Sequence, residues 1–155
     1  MADTTETKDV VSVLNGLIET NKDGQDGFRL AAEKVKDTSL KSLFTKYSSQ
    51  RASNVTELQS LVSQLGEKPA STGHIAASLH RGWINLKEAL SRDEDKAIIN
   101  ECEAGEDAAV ENYRNALNKG LPANVVAVLQ KQFSGVQEAH RVISDLKHST
   151  QAARA

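Results

Sequence analysis

Residues 97–120, AIINECEAGEDAAVENYRNALNKG, decide how the rest of the chain is read. Ile98, Ile99, Cys102, Ala109, Val110, Tyr113, Ala116 and Leu117 recur at steps of three and four residues, which gathers them on one face of a helix. Glu106 falls on the same stripe, between Cys102 and Ala109. A carboxylate on an apolar face needs a partner, a proton or a metal ion. The question for every other segment is what it sets opposite Glu106.

Working outward, the segment from Asp9 carries Val10, Leu14, Leu17, Ile18, Asn21, Gln25, Phe28, Ala32 and Val35 on one stripe. That predicts a helix of about 28 residues, roughly 40 Å long. Gly16, Gly24 and Gly27 interrupt it, each at a cost of up to about 1 kcal/mol against Ala; glycines on a long helix permit close approach by a neighbour. Asp37 or Thr38 caps a second helix with Leu40, Leu43, Phe44, Tyr47, Gln50, Asn54, Leu58, Leu61, Val62 and Leu65 on its stripe. Gly66 and Pro69 stop it. The short link makes these two helices an antiparallel hairpin.

Residues 67–93 differ. EKPASTG is a loop, and a shorter helical pattern follows with Ile75, Leu79, Trp83, Leu86 and Leu90 on one side and Gly82 beside Trp83. Such a segment is long enough to run the length of a bundle. Ser91 and Glu94 have capping-box spacing for the third long helix. Gly120 ends that helix, and Pro122 suits the first turn of a fourth, with Val125 or Val126, Leu129, Phe133, Val136, His140, Ile143 and Leu146 or Lys147. Residues 1–8 and 149–155 read as flexible tails. The expected fold is all-α: one domain over residues 1–155, an antiparallel four-helix bundle with a long crossover carrying a short helix. A five-helix up-and-down bundle is the alternative, and the length of the connecting segment argues against it.

Bulk properties narrow the function. The 155 residues carry a net charge of -2, so neither sign makes an electrostatic case for nucleic acid or an acidic membrane surface. One cysteine excludes an internal disulfide and fits a reducing compartment. No apolar run approaches the roughly 18 residues of a spanning helix. The opening MADTTETKDV has no signal-peptide core, so a cytoplasmic location is expected. There is no phosphate-binding glycine loop, nucleophile elbow, zinc spacing or basic groove with stacking aromatics.

Each long stripe breaks near its middle. Asn21 and Gln25, Gln50 and Asn54, Glu106, and Gln137 with His140 fall there, with Tyr47 and Tyr113 in reach. Aligned in register, they form a buried polar layer. A carboxylate-bridged di-iron site asks for a Glu from each of two helices and Glu-x-x-His from each of the other two. Here carboxamides replace most of the anions. Glu106 and His140 remain as metal-ligand candidates, with Glu103 and Asp23 off-centre. Against that stands a buried Glu106 satisfied by Gln50, His140 or a tyrosine hydroxyl, a hydrogen-bonded core His140, and solvated Glu103 and Glu138. Cys102 reads as an inert core residue. Trp83 reads as an anchor for the crossover, or as part of a partner surface.

The segments LNGLIETNKDGQDGF, LKSLFTKYSSQRASNVTEL, LHRGWINLKEAL, CEAGEDAAVENYRNAL and GVQEAH resemble the ferritin-like, rubrerythrin-related superfamily. More closely, they are similar to a bacterial family of uncharacterised four-helix-bundle proteins within it. The resemblance implies a ferritin-like fold. It matches Glu106, with Tyr113 seven residues on, to the third-helix carboxylate, and His140 to a fourth-helix ligand. Gln50 and Gln137 stand where it expects carboxylates, Ser53 where it expects a histidine, and Lys22 or Asp23 near its first-helix Glu. The expectation is a stress-linked, non-enzymatic bundle with a degenerate di-iron site and no cofactor. One alternative is a reduced site holding iron or another divalent metal through Glu106, His140 and Glu103. Another is a protein-interaction module near Trp83. Neither nucleic acid nor membrane is an expected partner, and a homo-oligomer is compatible with the reading.

Overall fold

The computed structural model describes residues 4–69 and 82–153. Within them the elements are all helices: α1 Thr4–Lys34, α2 Thr38–Gln64, α3 Leu86–Ser91, α4 Asp95–Leu117 and α5 Ala123–Ala153. α1 and α5 reach further into the termini than the apolar stripes do. Ile75, Leu79, His74 and His80 lie outside the described residues.

Local chemistry sets the ends. The Asp37 carboxylate accepts from the Leu40 backbone N–H at 3.0 Å and caps α2. Gly66, at φ +82°, closes the same helix, with the Glu67 N–H donating to the Val62 carbonyl. The capping box expected at Ser91 and Glu94 does not form. Ser91 ends α3 and donates to the Glu88 carbonyl, while Glu94 precedes α4 without a side-chain cap. Asp93 intervenes at φ +57° and breaks the run between the two helices. Asp95 instead accepts from the Lys36 and Asp37 backbone N–H groups at 2.8 and 3.0 Å, tying the start of α4 to the α1–α2 turn.

Cross-helix bonds give the directions. Asn54 meets Asn21 and Ser48 meets the Gln25 carbonyl, so α1 and α2 run antiparallel. Tyr113 meets Gln132 and Glu103 meets Lys147, so α4 and α5 do too. α1 lies antiparallel to α4, through Thr20 with Asn112 and the turn at Asp95. α2 lies against α5, through Asn54 and Glu57 with Gln132. α2 therefore ends at one end of this helical bundle and α4 begins at the other; residues 65–94 connect the two. No helix among the described residues is long and apolar enough to cross a membrane.

The core is divided. One apolar cluster, with Leu14, Ile18, Leu58, Val62 and Leu129, fills the end where α1 starts. A second, with Phe28, Phe44, Trp83, Leu86, Ile98 and Ile143, fills the end where α1 stops. Between them lies a polar belt.

Candidate functional site

The belt has two layers. In the first, Arg51 of α2 and Glu106 of α4 form an ion pair with side chains 1% and 0% exposed. Nη1 donates to Oε1 at 2.5 Å and Nη2 to Oε2 at 2.6 Å, a fork that binds both carboxylate oxygens. Nε donates to Gln50 at 3.3 Å, and the guanidinium carbon lies 5.4 Å from the centre of the Phe28 ring. Gly24 makes room on α1, since a Cβ there would lie 3.3 Å from Arg51 Cγ and Nη1. Burial is the largest single influence on Arg51 and works against its charge. The Glu106 charge and hydrogen bonds, with Tyr113 and Tyr47 behind, outweigh it and raise the Arg51 pKa.

Arg51 is the residue the sequence reading missed. Gln50 was expected on the α2 stripe, yet the buried positions Leu40, Phe44, Tyr47, Arg51, Asn54, Leu58 and Leu61 alternate steps of four and three. That seven-residue rhythm keeps one seam facing its neighbours. α5 behaves the same way: Val125, Leu129, Gln132, Val136, Ala139 and Ile143 are buried, while Phe133 and His140 are half-buried. A strict heptad count finds Arg51 and Gln132; apolar character does not.

The second layer, next along the bundle, is a closed ring of hydrogen bonds touching all four long helices. Asn54 Nδ2 donates to Asn21 Oδ1 at 3.0 Å, and Asn21 Nδ2 donates to the Tyr113 hydroxyl at 2.7 Å. The hydroxyl donates to Gln132 Oε1 at 2.8 Å, and Gln132 Nε2 returns to the Asn54 carbonyl at 3.4 Å and to Glu57 at 3.1 Å. Donors and acceptors alternate around the ring, so each side chain meets its demand only in this register. Tyr113→Phe removes the Asn21 acceptor and the Gln132 donor at once. It should cost about 1–3 kcal/mol in chemical denaturation.

The ring also fixes a pH dependence. Burial raises the Tyr113 pKa above its ordinary 10.0, against the Asn21 hydrogen bond. Burial likewise raises Tyr47, and raises the Cys102 thiol well above 9.0. Groups raised in the folded state keep their protons while the unfolded chain releases them. Their stabilisation is complete below the unfolded values and drains away as pH climbs past them. Stability should therefore fall progressively from about pH 9 upward, and Tyr113→Phe should flatten the part of the slope above about pH 10. Urea midpoints across that range check this.

The remaining candidates are placed as follows. Glu106 is satisfied by Arg51, not by Gln50, His140 or a tyrosine. His140 Nε2 lies 2.5 Å from Asp107 at the α4–α5 edge, where Asp107 is exposed. Glu103 pairs with Lys147 at 2.9 Å, which with a Ser144 hydrogen bond lowers its pKa against the opposing effect of burial. The trio Glu103, Glu106 and His140 is thus divided among three separate pairings. Among the described residues no three or more His, Cys, Asp or Glu side chains are grouped to hold a metal. Asn21, Asn54, Tyr47 and Tyr113 are buried, and Asp23 is buried nearby on α1. Gln25 is half-buried and contributes its carbonyl; Gln137 and Ser53 face water. Gln137 sits one turn from His140, but the α5 seam runs through Gln132 and Val136 instead, which turns Gln137 outward. Cys102 is fully buried, as a core residue.

Beside the ion pair, Trp83 is 2% exposed, wedged between α1 and α4. A Cβ at Gly27 would lie 2.6 Å from its Cδ2, and one at Gly105 would lie 2.5 Å from the same atom. The ring meets Phe28 edge-on at 5.0 Å. Gly82 takes φ +91° so that the backbone can pass against the Ala104 carbonyl. Trp83 is therefore not offered to a partner at the surface.

This chain belongs to the family described as domain of unknown function DUF2383, whose model matches residues 9–119. The match runs from α1 through α4, and so contains both members of the ion pair and the Trp83 slot. No curated protein matches the chain.

Proposed function

We propose that the chain is a ferritin-like bundle whose centre is held by a protein cation, and that it works as a non-enzymatic helical module. The observation that carries this reading is the Arg51 fork on both oxygens of Glu106. A guanidinium supplies the positive charge that a carboxylate in this position would otherwise take from a metal, and it uses up both ligand oxygens. The neighbouring donors are carboxamides and a phenol, which bring no charge to neutralise a metal pair. The residues present do not fit a dinuclear centre. The antiparallel hairpins and their end-to-end connection support the ferritin-like reading of the fold. The bonds from Gln132 to α2 and α4 support treating residues 1–155 as one domain, including α5 beyond the family match.

The test is metal analysis of protein purified without chelator, followed by iron(II) and zinc titration of the wild type and Glu106→Gln. The expected result is less than stoichiometric metal in both. One or two equivalents in the wild type, lost in Glu106→Gln, would overturn the reading.

A further inference from the structure

We infer that the groove between α1 and α4 holds a second slot, around Gly16 and Ala116, that binds a small planar aromatic acid. This goes beyond the reading of the bundle centre and does not depend on it. α1 and α4 run antiparallel, and their facing pairs repeat along the groove. Gly27 and Gly105 enclose the Trp83 indole, and further along Asn112 donates to the Thr20 hydroxyl at 3.1 Å. Gly16 stands eleven residues before Gly27, and Ala116 eleven residues after Gly105. Eleven residues are about three helical turns, or roughly 16 Å, so the two pairs present matching faces. The small-residue walls that clasp an indole at one level therefore recur at the other. There the groove opens into a cavity of about 310 Å³, and a Cβ built at Gly16 would meet no atom within 4 Å. That volume lies at the lower end of the range for ligand sites and suits one or two fused rings.

The lining gives the ligand its polarity. Val13 and Leu17 supply apolar surface for the ring beside Gly16 and Ala116. At the inner end the Thr20 hydroxyl accepts from Asn112 and donates to the Gly16 carbonyl, so it is already used. At the outer end stands Lys119, whose ammonium makes no ion pair or hydrogen bond among the described residues. It can take a carboxylate. Beyond Lys119 the groove continues into a cavity of about 650 Å³, where Glu6 and Asp9 stand. Their negative charge disfavours an anion there and sets the carboxylate at the Lys119 level, with the ring turned inward. An exposed ion pair of this kind adds little affinity, so burial of the ring supplies most of it.

The probes are indoleacetate, its neutral amide indoleacetamide, and the non-planar cyclohexylacetate. Each is added to the full chain while the backbone amides are followed by two-dimensional NMR. Indoleacetate should shift Gly16, Leu17 and Ala116 saturably. The amide should bind about five-fold more weakly, and cyclohexylacetate more weakly than indoleacetate. Lys119→Gln should weaken the acid by the same factor and leave the amide unchanged. Gly16→Leu fills the slot from within and should abolish the shifts with helical dichroism intact, because leucine is the better helix former and enters open space. Absence of saturable shifts at millimolar acid would overturn the proposal. So would equal binding of the amide or of cyclohexylacetate, or binding that survives Gly16→Leu. Shifts centred on Gly27 and Gly105 would overturn it too, since they would mean that the probe displaces Trp83.

Discussion

Replacing Arg51 with alanine should cost the bundle about 3–5 kcal/mol, because it strands the Glu106 carboxylate without a counter-charge in a site closed to water. Against a typical domain stability of about 5–15 kcal/mol, that is roughly a fifth or more of the total. Glu106→Ala should cost a similar amount by stranding the guanidinium. Lysine at position 51 keeps the charge but loses the fork on both oxygens, so it should fall between. The double replacement Arg51→Met with Glu106→Leu should behave differently. It removes both desolvated charges and fills the space with apolar atoms, and should leave stability within about 1 kcal/mol of the wild type, or raise it by about 1–4 kcal/mol. Urea unfolding with a constant slope measures all four. The contrast between single and double variants separates a charge that must be matched from one that is needed in itself.

Gly105→Ala should be the most damaging small substitution on α4. Alanine is the better helix former by about 1 kcal/mol, yet its methyl would overlap the Trp83 ring. Overpacking of this kind costs about 1–3 kcal/mol, and more when the neighbour is rigid. Trp83→Ala alone should cost about 3–5 kcal/mol. Once the ring is absent, the same Gly105→Ala change has space to occupy and should become neutral or favourable. The two substitutions should therefore be strongly non-additive, with an interaction near the upper end of the usual 0.5–3 kcal/mol range. A double-mutant cycle by chemical denaturation reads it directly.

The long helices were legible because their apolar residues keep helical spacing over many turns and because Asp37, Gly66 and Gly120 punctuate them in the expected places. Glu106 could be found for the same reason: it interrupts an otherwise apolar stripe. Arg51 was hidden because an arginine beside other polar residues reads as a solvated face. Only the position of its partner, 55 residues away, offsets the cost of its burial. Gln132 was hidden behind Phe133, whose apolar character drew the α5 stripe one residue off the seam. The start of α4 was misread because Ser91 and Glu94 fit a local motif, while the end-to-end tie is made by Asp95 to the α1–α2 turn, a contact no local pattern encodes. Trp83 illustrates the opposite case. Two glycines, at positions 27 and 105, look unrelated along the chain and become the walls of one slot once the indole is set between them, while Gly82 lets the neighbouring backbone pass the Ala104 carbonyl.

The most direct test is an experimental density map over the bundle centre at a resolution that separates a planar guanidinium from a metal ion. The account predicts Arg51 facing both oxygens of Glu106, with no anomalous signal between α2 and α4. Arg51 turned to solvent, with a metal or a water cluster on the Glu106 carboxylate, would contradict it.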